Sequence, residues 1–251
     1  MFNETLSQLT SSCSALERKI ESLVRKAVYD FSLLPKDGRI GIALSGGKDS
    51  ITLLLMLLKL SGRGFGKLDI QAFHVQGVAS CGAGLATSAL SAICKKLNVP
   101  LHILDSQIKE DQLHCYRCSR ERRSLIFNAA KAQDIDFIAF GHHKDDQIQT
   151  LLLNLLHKAE FATSLPKIRM VDYGITIVRP LLYVDESSIV TWSKQKGFAR
   201  VTCMCPVGQH SNRRKVQEII EMLKQTFPNC KTNLFQAAMR YGSNKAIRES
   251  L

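Results

Sequence analysis

The sequence predicts an α/β fold, a doubly wound parallel sheet with an N-terminal helix and a helical C-terminal extension, and three observations carry that prediction. Segments 40–44, 70–75, 101–104 and 137–140 are predominantly apolar instead of alternating, as strands covered on both faces are. Each is followed by a segment of helical period, and this βαβα order builds a parallel sheet whose site lies at the carboxyl ends of its strands. The chain has 251 residues, enough to bury one large core with small additions.

Taken in order, apolar residues fall at Leu6, Leu9, Cys13, Leu16, Ile20, Leu23, Ala27 and Phe31, steps of three and four that predict one long amphipathic helix. It ends before Pro35 and the turn Lys36-Asp37-Gly38. Helices are expected over 48–60, 87–97, 120–132 and 143–157, a hairpin across KIRMVDYGITIVRPL, and further helices over 186–196, 211–226 and 231–240. The expected organisation is an N-terminal helix over 1–36, an α/β core over 37–182, and a helical extension over 183–251 that folds onto the sheet. No repeat, low-complexity tract or flexible linker interrupts it.

Thirty-four Lys and Arg against twenty-two Asp and Glu leave a net charge of +12, which suits a polyanion such as nucleic acid better than an acidic protein. No apolar run reaches the ~18 residues of a membrane helix, and Glu4, Glu17 and Arg18 interrupt any leader-like stretch, so a cytosolic protein is expected. In that reducing compartment the eight cysteines are metal ligands, reactive thiols or core fillers before they are disulfides.

The first strand runs into SGGKDS. A strand, a Gly-Gly turn and a helix start gather unpaired backbone N–H groups in one concavity, where the helix dipole adds positive potential: an anion site. Gly46 and Gly47 let the backbone approach a ligand, Ser45 and Ser50 offer hydroxyls, Lys48 neutralises phosphate, and Asp49 can hold magnesium. The string departs from G-x-x-x-x-G-K-[ST] and is not the usual P-loop. It resembles the PP-loop of the ATP pyrophosphatases, with their adenine nucleotide alpha hydrolase-like fold. That resemblance implies cleavage of ATP between its α- and β-phosphates and transfer of AMP to an oxygen.

HCYRCSRERR places Cys115 and Cys118 in a C-x-x-C, and VTCMCPVGQHSNRR places Cys203 and Cys205 in a C-x-C. Two such pairs suit one metal centre, although the spacing is not that of a zinc ribbon. GHHKDDQIQT follows a strand, so Gly141, His142, Asp145 and Asp146 should face the same crevice as SGGKDS, with His142, Asp146 and Gln149 on one helical face. Taken together, SGGKDS, CYRCSRERR, GHHKDD and IVRPL resemble, in order and spacing, the tRNA 2-thiocytidine synthetases, the TtcA-like branch of the PP-loop enzymes. The resemblance implies ATP, Mg2+ and a 4Fe-4S cluster held by three cysteines, with one iron left for the sulfur to be transferred. Cys115 and Cys118 match two ligands. The branch has a second C-x-x-C where this chain has Cys203-Met204-Cys205, and Cys205 is favoured as the third ligand over Cys203 because Gly208-Gln209 follow it as in the family.

The same resemblance gives Lys48, Asp49 and Asp146 catalytic roles, has Asp145 or Asp146 orient magnesium or substrate, and gives Gly141 the task of letting the nucleotide approach. It further implies tRNA as substrate, a cysteine desulfurase system as sulfur donor, and a homodimer. Cys81, in a Gly-rich loop, is a candidate sulfur relay, whereas Cys13, Cys94 and Cys230 fit core or surface thiols. Arg117, Arg120, Arg122, Arg123, Arg179, Arg213, Arg214 and Lys215 are candidates for phosphate contacts or a solvated face, and Trp192 for the core. The expected reaction is adenylation of the C2 oxygen of a cytidine, tRNA position 32 by resemblance, and its replacement by sulfur. The alternatives are a tRNA lysidine synthetase-like enzyme, which needs no cluster, and a zinc-binding RNA-binding protein without catalysis.

Overall fold

The structure, a computed structural model, describes residues 14–77, 87–108, 115–198 and 212–241. Six strands, β1 (Arg39–Ala43), β2 (Asp69–Gln76), β3 (Leu101–Asp105), β4 (Phe137–Ala139), β5 (Lys167–Met170) and β6 (Ile175–Val178), form one sheet in the order β3-β2-β1-β4-β6-β5. All neighbours pair in parallel except β5 and β6. Those two make the expected hairpin, with Lys167 opposite Val178, and the chain reverses through a 3-10 turn and Gly174 at φ 64°. Strand order reverses at β1, which lies between β2 and β4, so the crevice that a doubly wound sheet offers to ligands opens there.

The helices are α1 (Ala15–Phe31), α2 (Lys48–Leu60), α3 (Thr87–Lys96), α4 (Cys115–Lys131), α5 (Lys144–Lys158), α6 (Glu186–Gln195), α7 (Asn212–Thr226) and α8 (Cys230–Tyr241). α2 is apolar on nearly every side because it is enclosed by β1, α1 and α6, and Ile51, Leu53, Leu54, Met56, Leu57 and Leu60 are fully buried. That core joins α1, α3 and α6 to one face of the sheet, while Ile126, Phe127 and Ala130 of α4 cover the other with Phe73, Val75 and Ile138. A third cluster seats α7 and α8 on α5 through Ile148, Leu182, Val216, Ile220 and Phe235.

α1 begins at an N-cap, Ser14, whose hydroxyl accepts from the Glu17 amide at 3.1 Å. Glu17 is buried, and its carboxylate meets Lys59, Lys196 at 3.1 Å and the Trp192 indole N–H at 3.3 Å, tying α1 to α2 and α6. Burial pushes the Glu17 pKa up, but those donors outweigh it and hold the group below the usual carboxylate range. Trp192 is a core residue, as its helical setting implied. The part of the predicted first helix before residue 14 lies outside the described residues.

α4 starts at Cys115, five residues before the expected start. The first turns carry Tyr116, Arg117, Ser119 and Arg120 outward to solvent, so no apolar stripe marks them. Cys115 and Cys118 therefore stand one helical turn apart.

Candidate active site

β1 delivers Leu44, whose N–H donates to the Phe73 carbonyl at 2.9 Å, and the chain then leaves the sheet. Gly46 takes φ 84°, a conformation that costs little only without a Cβ, and Gly47 caps α2. Ser50 Oγ donates to the Gly47 carbonyl at 3.0 Å, and the Gly47 amide donates to Ser45 Oγ at 3.3 Å, so both serines fix the turn. The first intrahelical bond of α2 comes from the Ile51 amide to the Gly47 carbonyl, which leaves the amides of Lys48, Asp49 and Ser50 open to an anion.

Lys48 Nζ lies 3.1 Å from Asp49 Oδ2 and 3.0 Å from Glu186 Oε1. Burial lowers its pKa, yet Asp49 and Glu186 overcome that and raise it, so the ammonium stays charged at every working pH. Asp49 moves in the other direction: burial raises its pKa more than Lys48 and His143 lower it. Its Oδ1 is enclosed without a hydrogen-bond partner among the described residues, an atom positioned to ligate a cation. No group of three His, Cys, Asp or Glu side chains among the described residues is placed to hold a metal ion. A single carboxylate oxygen fits magnesium, which takes few protein ligands and is held largely by substrate phosphates.

β4 leads into GHHKDD on the far side of the switch point. A Cβ on Gly141 would stand 3.0 Å from the carbonyl carbon of Asp49 and 3.1 Å from Ser50 N, so the space that this glycine leaves is filled by the backbone of α2. The two loops thus meet directly. His143 is the N-cap of α5, and its amide donates to Asp146 Oδ2 at 3.0 Å. His143 Nε2 is 3.8 Å from Asp49 Oδ1 and its Nδ1 3.5 Å from Asp146, which links the two carboxylates through one ring.

The adjacent aspartates differ in role. Asp145 accepts from the Glu186 amide on Oδ2 and from Lys231 on Oδ1, both at 2.8 Å, so both oxygens are committed to holding α6 and α8. Burial raises its pKa, but these donors outweigh it and keep it an anion. Asp146 faces the crevice and its Oδ1 pairs with Arg213 at 3.2 Å. His142 stacks on Phe140, and burial, then Arg179, lowers its pKa to about 3, so it is neutral.

Of the sulfur residues, Cys118 is half-buried in the first turn of α4. Glu121, one turn on, accepts from Ser106 Oγ at 2.7 Å and from the Gln107 amide at 2.8 Å, and Arg122 donates to the Val75 carbonyl at 3.2 Å. These bonds set the start of α4 at the carboxyl ends of β2 and β3, on the edge of the sheet that carries the SGGKDS turn. Cys94 is buried with its thiol pushed up to about 11 by that burial, and Cys230 is buried at the start of α8. Both are core residues. Cys13, Cys81, Cys203 and Cys205 lie outside the described residues, as do Met204 and Gly208.

Ser45, Gly46, Gly47, Lys48, Asp49, Ser50, Gly141 and Asp146 thus come together at one crevice. Sequence reasoning missed Glu186 and Lys231, which enter from α6 and α8. The available signal was an acidic residue opening the helix after the R-P-L strand end, but nothing in one dimension tied it to Lys48.

A family model described as the PP-loop domain matches residues 13–203. A tRNA-cytidine(32) 2-sulfurtransferase of Legionella pneumophila (strain Paris) is 30% identical over 238 residues, 91% of this chain and 83% of the relative. One of the same name from Anaeromyxobacter dehalogenans (strain 2CP-C) is 33% identical over 232 residues, covering 88% of this chain and 79% of its own. Among solved structures, the U34-tRNA thiolase NcsA from Methanococcus maripaludis with its [4Fe-4S] cluster shares the fold at TM-score 0.72 and 19% identity, over 90% of this chain and 79% of that one.

Proposed function

Because the chain belongs to the PP-loop family and, within it, to the tRNA-cytidine(32) 2-sulfurtransferases, we propose that it converts a cytidine of tRNA to 2-thiocytidine at the expense of ATP. The observation that carries this reading is the meeting of the SGGKDS turn and the GHHKDD loop across the switch point, with Lys48, Asp49 and Asp146 on one crevice.

The C2 oxygen of the cytidine bonds to the α-phosphorus of ATP, the α–β phosphoanhydride bond breaks, and pyrophosphate leaves. The amides that open α2 and the Lys48 ammonium hold the charge that develops on the leaving group. Glu186 and Asp49 keep Lys48 charged and aimed before ATP arrives. Asp49 would hold a magnesium ion, which would supply positive charge to the leaving group. Asp146, on the far wall, orients the reacting base. The adenylated oxygen is then a good leaving group: a sulfur nucleophile bonds to C2, the C2–O bond breaks, and AMP departs with that oxygen, without net redox change in the base.

Cys115 and Cys118, whose positions stand one turn apart on α4, serve as two ligands of a shared cluster, and Cys205 is the third ligand. A 4Fe-4S cluster held by those cysteines would supply iron able to carry the sulfur to be transferred. A cysteine desulfurase system serves as sulfur donor, the enzyme works in the cytoplasm, and it acts as a homodimer. No described helix is long and apolar enough to cross a membrane. The chain divides into an N-terminal segment over 1–36 that carries α1, the ATP-binding core over 37–182 and an extension over 183–251 that bears the third ligand.

The test follows the nucleotide. Anaerobically prepared protein given ATP, a sulfide source and unmodified tRNA should form AMP and pyrophosphate, one of each per 2-thiocytidine. ADP and orthophosphate as products, or lysine entering the tRNA in place of sulfur, would refute the reading.

A further inference from the structure

Three arginines from three separate elements converge on the side of the crevice opposite Lys48. Arg179 directly follows β6, with its amide bonded to the Pro166 carbonyl; Arg123 lies on α4; Arg213 lies in the first turn of α7. Their charges act on one another. Burial and then Arg123 lower the Arg179 pKa to about 10, desolvation and then Arg213 lower that of Arg123, and all three charges bear on His142. Arg123 itself is exposed, on the solvent side of the group.

Asp146 is the carboxylate that faces them, pairing with Arg213 at 3.2 Å and opposing the fall in Arg179. His142 is neutral and offsets nothing, and its Nδ1 has no partner among the described residues. Arg179 is 8% exposed; Nη1 donates to the Leu165 carbonyl, while Nε has no hydrogen-bond partner among the described residues. A guanidinium buried with an idle donor beside two like charges is costly unless an anion completes it. Guanidinium forks match phosphate oxygens, which take two parallel N–H bonds from one side chain.

We propose that Arg123, Arg179 and Arg213 form a second phosphate site, across Asp146 and His143 from the SGGKDS turn, that holds a backbone phosphodiester of the RNA substrate beside the nucleotide being modified. The RNA assignment rests on the function proposed above. ATP is already served at the other pole by Lys48 and the α2 amides, and His143 and Asp146 stand between the two poles. Arg213, with half of its side chain exposed, and Arg123 leave the second pole open to solvent, as a long polymer requires. Gripping a phosphate there anchors the base over Asp146 while ATP is held from the other side.

The test compares the wild-type protein with Arg123→Gln, Arg213→Gln, the double variant, and Lys215→Gln as an exposed basic control on α7. Binding of unmodified tRNA is measured across a salt series, and ATP binding by equilibrium dialysis. Either arginine variant should weaken tRNA about tenfold and lower the salt slope by about one. The double variant should lose less than the product, because both residues hold one phosphate. Lys215→Gln should change tRNA affinity less than about twofold, and ATP affinity should be unaltered throughout. Arginine variants that act no more strongly than Lys215→Gln overturn the site. Loss of ATP with tRNA unchanged overturns the RNA assignment in favour of a nucleotide phosphate. A wild-type protein that binds no tRNA at all refutes the proposed function and this inference with it, an outcome distinct from failure of the variants alone.

Discussion

Lys48→Ala should lower ATP-dependent thiolation by about a thousandfold or more, equivalent to about 4 kcal/mol of transition-state stabilisation. The residue occupies the one place where its charge meets the departing pyrophosphate, and two carboxylates hold it there in the absence of ATP. Removing the ammonium takes away a donor from the leaving group and leaves Asp49 and Glu186 facing each other without a cation. Stability should change by only about 1 kcal/mol, because the pair is partly solvated and Lys48 contributes no apolar packing to the core. Single-turnover thiolation together with thermal unfolding separates the two effects. Near-normal turnover would remove the PP-loop assignment, and unfolding would show that Lys48 serves the fold instead.

Cys118→Ala and Cys115→Ala should each lose iron and thiolation together while α4 and the sheet persist. Alanine is the best helix former, so the first turn of α4 does not suffer from the exchange. A cluster held by three thiolates has no reserve when one is removed. Cys205→Ala should behave in the same way, whereas Cys203→Ala should keep most of its iron. Cys205 is preferred to Cys203 because Gly208-Gln209 follow it as they follow the last cysteine in the family pattern. Anaerobic iron and sulfide analysis of the four variants decides the ligand set. Full iron in Cys118→Ala would end the account of the first pair, and equal losses in all four would indicate four thiolates.

Much of this was legible in one dimension because the relevant signals are local. A strand running into SGGKDS and then into a leucine-rich helix states its own geometry, and residues 48–60 are the helix that the pattern implied. The apolar runs of β1, β4 and β6 are largely buried as expected, whereas the run at 101–104 is the edge strand β3 with Ile103 exposed, and the hairpin is marked by Gly174 between the alternating β5 and the apolar β6. The start of α4 was missed because its first turns face solvent and show no stripe. Asp145 and Asp146 look alike in sequence; only the arrival of Glu186 and Lys231 from distant helices shows that the first is committed to packing. Gly141 is legible as a close-approach glycine, and what one dimension does not show is that the α2 backbone stands where its Cβ would be, a contact between residues far apart in the chain. Arg179 reads as one basic residue among many, and its significance lies in burial, which composition does not encode.

Mass spectrometry of tRNA nucleosides from a strain lacking this protein, and from the same strain supplied with wild-type or Lys48→Ala protein, tests the central claim most directly. The account predicts that 2-thiocytidine disappears from the deletion strain, returns with the wild-type chain, and stays absent with Lys48→Ala while lysidine is unaffected throughout. Unchanged 2-thiocytidine in the deletion strain, with loss of a different nucleoside, would contradict it.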